Sequence, residues 1–86
     1  MATYLEYMAA AMRRAEYEPL EEAGTVAGWY GHIPGFEGLW ASGASVEEAR
    51  AELWQALDGW LTVNFFVSQL PPPDIGVRLG AEKPPG

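Results

Sequence analysis

The segment GHIPGFEGLWASGASVEEA, residues 31–49, constrains the fold more than any other part of this 86-residue chain. Glycine or proline stands at five of its first thirteen positions, too often for an uninterrupted helix or a long strand. The pattern Ser45-Val-Glu-Glu48 then matches a capping box, in which the serine hydroxyl accepts a bond from the Glu48 amide and the Glu48 carboxylate returns one. The segment therefore predicts tight turns and a short strand leading directly into a helix.

Behind this cap, apolar residues recur at the spacing of one helix face and predict a long amphipathic helix that continues to about Ser68. Gly59 is a weak point, because glycine inside a helix costs about 1 kcal/mol relative to alanine. The predicted buried stripe contains Val46, Ala49, Leu53, Ala56, Leu57, Trp60, Leu61 and Asn64.

A second, shorter amphipathic helix is predicted for residues 3–14, which contain neither glycine nor proline. Its apolar stripe has two interpretations, ordinary core packing or a docking surface. The stripe contains Tyr4, Leu5, Met8, Ala11 and Met12.

Alternating apolar and polar residues predict four short strands. Pro19 places the first of them at a sheet edge or near its own end. The prolines of residues 70–74 cannot continue a helix and act either as a stiff connector or as a polyproline ligand. The predicted strands are residues 15–19, 25–33, 39–42 and 75–79, with a turn at residues 21–24.

The resulting order, α-β-β-β-α-β, predicts an α+β fold, a two-layer sandwich with an antiparallel sheet and both helices on one face. A chain of this length supports one core, so residues 1–80 are expected to form a single domain and residues 81–86 a flexible tail. The uncovered face and open edges of such a sheet favour self-association as a homodimer or tetramer.

The composition excludes several classes of function. Twelve carboxylates and five basic side chains give a formal charge of −7, which opposes direct nucleic-acid binding. The same charge fits either a basic protein partner or solubility alone. With no cysteine and one histidine, no disulfide, thiolate nucleophile, metal site or other cofactor is expected. The absence of a signal-like N-terminus and of a long apolar run predicts a cytoplasmic protein with no membrane association.

Four side chains are candidates for binding a partner protein. In the second predicted strand, Tyr30 and His32 share one face while Trp29 and Ile33 share the other, and we expect the face with Tyr30 and His32 to be open. Trp40 and Trp54 either complete the small core or lie in an interface, where large aromatic rings contribute strongly to binding.

Catalysis is the least favoured interpretation. His32 would need a positioned partner, and Glu37 is the acidic residue near enough in sequence to provide one. A lone strand histidine is more often a surface or hydrogen-bonded residue. No phosphate-loop pattern is present among the glycines. We therefore expect a protein without enzymatic activity, with a residual metal-dependent nuclease as the remaining alternative.

Residues 29–61 resemble the HicB-like antitoxin family: a strand ending in Ile-Pro, a glycine-bounded turn, a short strand, a glycine, and a hydroxyl residue before Glu-Glu-Ala and a helix. The resemblance implies a degenerate RNase H-like or double-stranded-RNA-binding-like fold without nuclease residues. It also implies a partner, a small basic RNA-cleaving toxin of the HicA type that the domain neutralises. The matching positions are Ile33, Pro34, Gly38, Gly43, Ser45, Glu48 and Ala49.

The sequence departs from the family pattern at Leu39, where a cysteine is frequent, and at Ala44, where an aspartate is usual. Neither change alters the turns and cap. Many members also carry a C-terminal DNA-binding module, and we expect no autorepression through such a module here. The leading hypothesis is an antitoxin-like protein that self-associates and binds a toxin; the alternative is an orphan protein-interaction domain of the same fold.

Overall fold

A computed structural model describes residues 3–77 and places two helices against one face of a three-stranded antiparallel sheet. Both helices and the sheet contribute side chains to one hydrophobic core, which confirms the predicted α+β two-layer architecture. The strands lie side by side in chain order, β1-β2-β3. The elements are α1 (Tyr4–Met12), β1 (Glu16–Glu22), β2 (Thr25–His32), β3 (Trp40–Gly43), α2 (Val46–Leu61) and a π-helical segment (Thr62–Val67).

Helix α1 begins with a complete capping box that the sequence reading missed. The Thr3 hydroxyl accepts a bond from the Glu6 amide at 3.2 Å, and the Glu6 carboxylate accepts one from the Thr3 amide at 2.9 Å. The buried face also differs from the predicted stripe, because Tyr7 is fully buried whereas Leu5 is 57% exposed. The helix is therefore rotated about its axis relative to the prediction.

Strands β1 and β2 form a hairpin closed by the two-residue turn Ala23-Gly24, in which both residues have positive φ. This backbone conformation suits the right-handed twist of a hairpin. The turn is shorter than the predicted one at residues 21–24, because Glu21 and Glu22 belong to β1. The register shifts after Leu20, where an extra residue in β2 forms a bulge. Pro19 lies in β1, which is an edge strand as predicted.

Two consecutive tight turns connect β2 to β3 and explain the dense glycines of this segment. The Phe36 amide donates to the Ile33 carbonyl and the Leu39 amide to the Phe36 carbonyl, both at 3.1 Å. Gly35 (φ 91°) and Gly38 (φ 80°) occupy the third position of these turns, where type II geometry requires positive φ. The turns point the buried side chains of Ile33, Phe36 and Leu39 into the core.

Helix α2 begins at the predicted cap, with one change in the bonding. The Ser45 hydroxyl accepts from the Glu48 amide at 3.1 Å, but the Glu48 carboxylate accepts from the Ala44 amide at 2.8 Å rather than from Ser45. Four members of the predicted stripe are completely buried, while Val46 is exposed at the helix start. The buried members are Ala49, Leu53, Leu57 and Leu61.

Close approaches at two glycines bring α2 down onto the sheet. A Cβ at Gly31 would lie 2.8 Å from the Tyr17 ring and 3.4 Å from the Leu53 side chain. A Cβ at Gly43 would lie 2.6 Å from the Ala49 amide nitrogen. Because the obstruction at Gly43 includes helix backbone, it cannot be relieved by a rotamer change.

The chain beyond α2 differs most from the prediction. The helix continues as a π-helical segment, with the Ser68 amide bonded to the Val63 carbonyl at 3.0 Å, and does not remain α-helical to Ser68. Residues 75–77 form no strand, so the fourth strand is absent from this part of the chain. The rest of that predicted strand and the predicted tail at residues 81–86 lie outside the described residues.

The proline segment acts as a connector packed on the domain. Pro73 accepts a hydrogen bond from the Tyr7 hydroxyl at 2.6 Å, and the Ile75 carbonyl accepts one from the Arg14 guanidinium at 3.3 Å. The Ile75 side chain is buried in the core. An Asp74 oxygen accepts from the Gly76 amide at 3.0 Å, a local turn that competes with strand pairing.

The two glycines at opposite extremes of crowding give a matched test of the fold. Gly43→Ala should lower the free energy of unfolding by about 1–3 kcal/mol, because a methyl group there overlaps the backbone of α2. In Gly59→Ala the new methyl group has no neighbouring atom within 4 Å. This variant should raise the free energy of unfolding by about 0.5–1 kcal/mol through helix propensity and chain entropy. Urea denaturation of both variants measures the difference; equal effects would contradict the close seating of α2.

The buried Tyr7 phenol should make the protein sensitive to alkali. Burial, followed by the charge of Asp74, raises the pKa of Tyr7 to about 12 from an unfolded value of 10.0. Its contribution to stability is therefore complete below pH 10 and is lost as the pH rises toward 12. Urea denaturation of the wild type at several pH values across this range should show a steep fall in the free energy of unfolding. Tyr7→Phe should be about 1 kcal/mol less stable at pH 7, where it lacks the bond to Pro73, and should have a shallower alkaline slope.

Candidate partner-binding site on the open sheet face

The face of the sheet that the helices leave uncovered carries a cluster of acidic and aromatic side chains. Strand pairing aligns Glu16 with His32 and His32 with Trp40, and the next row aligns Glu18 with Tyr30. The opposite face belongs to α2, as the contact of Gly31 with Leu53 shows. We call the cluster the open face, defined by Glu16, Glu18, Tyr30, His32 and Trp40.

Neighbouring side chains hold one another in place on the open face. The Tyr30 hydroxyl donates a hydrogen bond to the Glu18 carboxylate, and the Tyr30 ring stacks on the His32 ring with centroids 5.9 Å apart. The His32 Nε2 lies 3.6 Å from a Glu16 oxygen, which makes an ion pair when the imidazole is protonated. Trp40 is 63% exposed beside them. Tyr30 and His32 are thus held by neighbouring side chains, which reduces the entropy cost of binding a partner there.

Tyr30 keeps its proton well into the alkaline range. The hydrogen bond to Glu18 raises the pKa of Tyr30, because deprotonation would place two negative charges side by side. The phenol therefore remains a donor, and the carboxylates of Glu16 and Glu18 remain the acceptors of the open face. Carboxylates beside exposed aromatic rings suit arginine and lysine side chains, through charge-assisted hydrogen bonds and cation–π contacts.

The structure brings together three of the four predicted partner-binding residues. Tyr30 and His32 share the open face, as the alternation of β2 predicted, and the pairing of β2 with β3 adds Trp40 to them. Trp54 lies apart from them on α2, 37% exposed and outside the core. Neither Trp40 nor Trp54 completes the core, so that interpretation was wrong for both.

The acidic partner of His32 was predicted incorrectly. Glu37 was the candidate near enough in sequence, but the contact is made by Glu16 across the β1–β2 pair. Glu37 instead contributes its backbone carbonyl, which accepts a 2.9 Å bond from the Trp60 indole. Glu16 and Glu18 were not predicted as site residues; their alternation with Tyr17 was the available signal.

Two further geometric findings concern residues 3–77. No group of three histidine, cysteine, aspartate or glutamate side chains in this range is arranged to hold a metal ion. No helix in it combines the length and the apolar character needed to cross a bilayer.

Comparison with known proteins places the chain in a family. A family model described as UPF0150-like matches residues 6–72. The crystal structure of TTHA0281 from Thermus thermophilus is similar, with a TM-score of 0.80 and 36% sequence identity over 96% of this chain and 99% of that chain. No curated protein matches the sequence. Because the family model spans more than half of the chain, the protein belongs to the UPF0150-like family.

Proposed function

We propose that the protein is a cytoplasmic, non-enzymatic, antitoxin-like binding protein that neutralises a small basic RNA-cleaving toxin of the HicA type. Membership of the UPF0150-like family supports the general part of this proposal, a small protein of the toxin–antitoxin type. The HicB-like resemblance of residues 29–61 supplies the more specific part, the kind of partner. The observation that carries the proposal is the open face, whose carboxylates and exposed aromatic rings are complementary to a basic protein surface.

The chemistry of the open face accounts for inhibition without catalysis. An RNA-cleaving protein needs a basic surface to hold the phosphate backbone of its substrate. Glu16 and Glu18 offer that surface carboxylates in place of phosphates, and Trp40 offers a ring over which an arginine or lysine can pack. A partner bound in this way cannot engage RNA through the same side chains.

The net charge adds a kinetic advantage. A formal charge of −7 attracts a basic protein over distances beyond direct contact and raises the rate of encounter. This attraction weakens as salt is added. Binding to a basic toxin should therefore show a strong dependence of the association rate on ionic strength.

Self-association belongs to the same proposal. Both outer strands of the described sheet, β1 and β3, present an unpaired edge, and such edges are commonly closed by a second chain. The π-helical segment adds exposed apolar side chains at Val63 and Val67. We propose a homodimer or tetramer that rearranges when the toxin binds.

Light scattering tests the proposal directly. The pure protein is measured first, and again after it is mixed with a HicA-type protein encoded beside it in the same genome. A homo-oligomer that converts to a mixed complex, with loss of the toxin's RNA cleavage, supports the proposal. An oligomer that ignores the toxin contradicts the toxin partner and leaves an orphan interaction domain.

Charge neutralisation on the open face should weaken toxin binding. Glu16→Gln with Glu18→Gln is expected to reduce affinity about tenfold or more, because charged pairs across an interface contribute more than rim charges. The control is Glu37→Gln with Glu52→Gln, which removes the same two charges from exposed positions elsewhere. Isothermal titration calorimetry at physiological salt measures both pairs. Equal losses would show that net charge, and not the open face, is responsible.

The two exposed tryptophans give a second matched comparison. Trp40→Ala should weaken toxin binding by about 2 kcal/mol, roughly thirtyfold, as expected for an aromatic anchor at the centre of an interface. Trp54→Ala, which removes a similar ring outside the open face, should leave toxin affinity unchanged. Thermal melts confirm that both variants fold. A larger effect of Trp54→Ala would move the binding site to the helices.

A further inference from the structure

A groove between the two helices carries features that the open face does not use. Its volume is about 590 Å³, and its walls come from the C-terminal part of α1 and the N-terminal half of α2. Apolar side chains and one aromatic ring make up most of the lining, with an arginine from each side. We call it the helix groove, lined by Ala9, Met12, Arg13, Arg50, Ala51 and Trp54.

The two arginines of the helix groove make no ion pair within the described part of the chain. Neither the Arg13 nor the Arg50 side chain makes a hydrogen bond or ion pair with any residue from 3 to 77. Arg14, by contrast, is engaged with the Ile75 carbonyl. In a chain with twelve carboxylates, this groove has an arginine on each of its two walls. Both guanidinium groups are available to carboxylates from outside the molecule.

The apolar lining of the helix groove extends along α1. Leu5 is four residues before Ala9 and seven before Met12, so the three side chains lie on one side of the helix. Leu5 is 57% exposed and continues the apolar lining toward the start of α1. The apolar strip is therefore longer than the groove itself and matches the spacing at which one helix recognises another.

We propose that the helix groove binds a short acidic, amphipathic helical segment of another protein. The apolar side chains of that segment pack on Met12, Trp54 and the strip that leads to Leu5. Its flanking carboxylates pair with Arg13 and Arg50. This function is independent of toxin binding, because it uses the opposite layer of the domain and a ligand of opposite charge.

Other ligands fit the groove less well. A nucleic acid would bring many phosphates against two arginines on a chain of charge −7, which opposes binding. A free small molecule needs most of its surface buried, whereas four of the six lining residues are themselves exposed. A helical segment gains the extra contacts along α1 that an open groove requires.

Fluorescence anisotropy with a defined peptide tests the proposal. The probe is a fluorescein-labelled amphipathic peptide of about fourteen residues, roughly four helical turns, with leucines on one face and glutamates beside them. A companion peptide carries glutamine in place of every glutamate. The full-length protein should bind the first peptide at least about tenfold more tightly than the second, and salt should reduce this preference.

Variants assign the binding to the groove. Arg50→Gln should weaken binding of the acidic peptide about tenfold. The control is Gln69→Glu, which makes the net charge more negative by the same amount outside the groove and should not have this effect. Ala51→Glu, which adds bulk and negative charge to the groove wall, should abolish binding. Trp40→Ala, which leaves the net charge unchanged, should bind the peptide normally, so failure here is distinguishable from failure of the proposed function.

The proposal is overturned if the acidic peptide does not bind, or if both peptides bind with equal affinity. It is also overturned if an oligonucleotide binds more tightly than the acidic peptide and this binding requires Arg50. A fourth contrary result is self-association of the wild type that Arg50→Gln abolishes. The last result would show that a second copy of the chain occupies the groove. Circular dichroism of each variant shows that changes in binding are not changes in folding.

Discussion

The close packing of α2 on the sheet is the constraint on which the rest of the structure depends. Gly31 and Gly43 remove the two side chains that would hold the helix away, and Leu53 reaches the sheet with no exposed surface. With α1 beside it, α2 packs on the β2–β3 side of one face of the sheet. No further helix is present among residues 3–77 to cover the other face. The open face is thus a consequence of how the core closes.

The fold was largely predictable because most of its signals are local. Turn residues, a serine cap and apolar periodicity each act over a few positions, and they agree with one another. The rotation of α1 was not predictable, because apolar residues occur on almost every side of that helix, and only the packed structure selects Tyr7 over Leu5. For residues 75–77 the predicted fourth strand is wrong for a related reason: Ile75 is buried beside a turn at Asp74 and is not paired in a strand.

The candidate site divides into a predictable and an unpredictable part in the same way. Strand alternation is sufficient to place Tyr30 and His32 on one face. The contact of Glu16 with His32 depends on the register between β1 and β2, which shifts at the bulge after Leu20. Local sequence alone does not determine that register. The groove around Trp54 depends on how two helices distant in sequence pack, and neither helix alone contains that information.

The two proposed binding surfaces carry side chains of opposite charge, which gives the two proposed partners different electrostatics of binding. At physiological salt, charges interact over about 8 Å, so the final contact is controlled by local groups while long-range approach follows the net charge of −7. For a basic partner, attraction acts both during the long-range approach and in the final contact, and added salt weakens the attraction in both. An acidic segment is repelled during approach and held only by local pairs such as that with Arg50. Added salt should therefore speed its encounter while loosening its complex. The two proposed partners thus differ in the direction in which salt changes the rate of encounter.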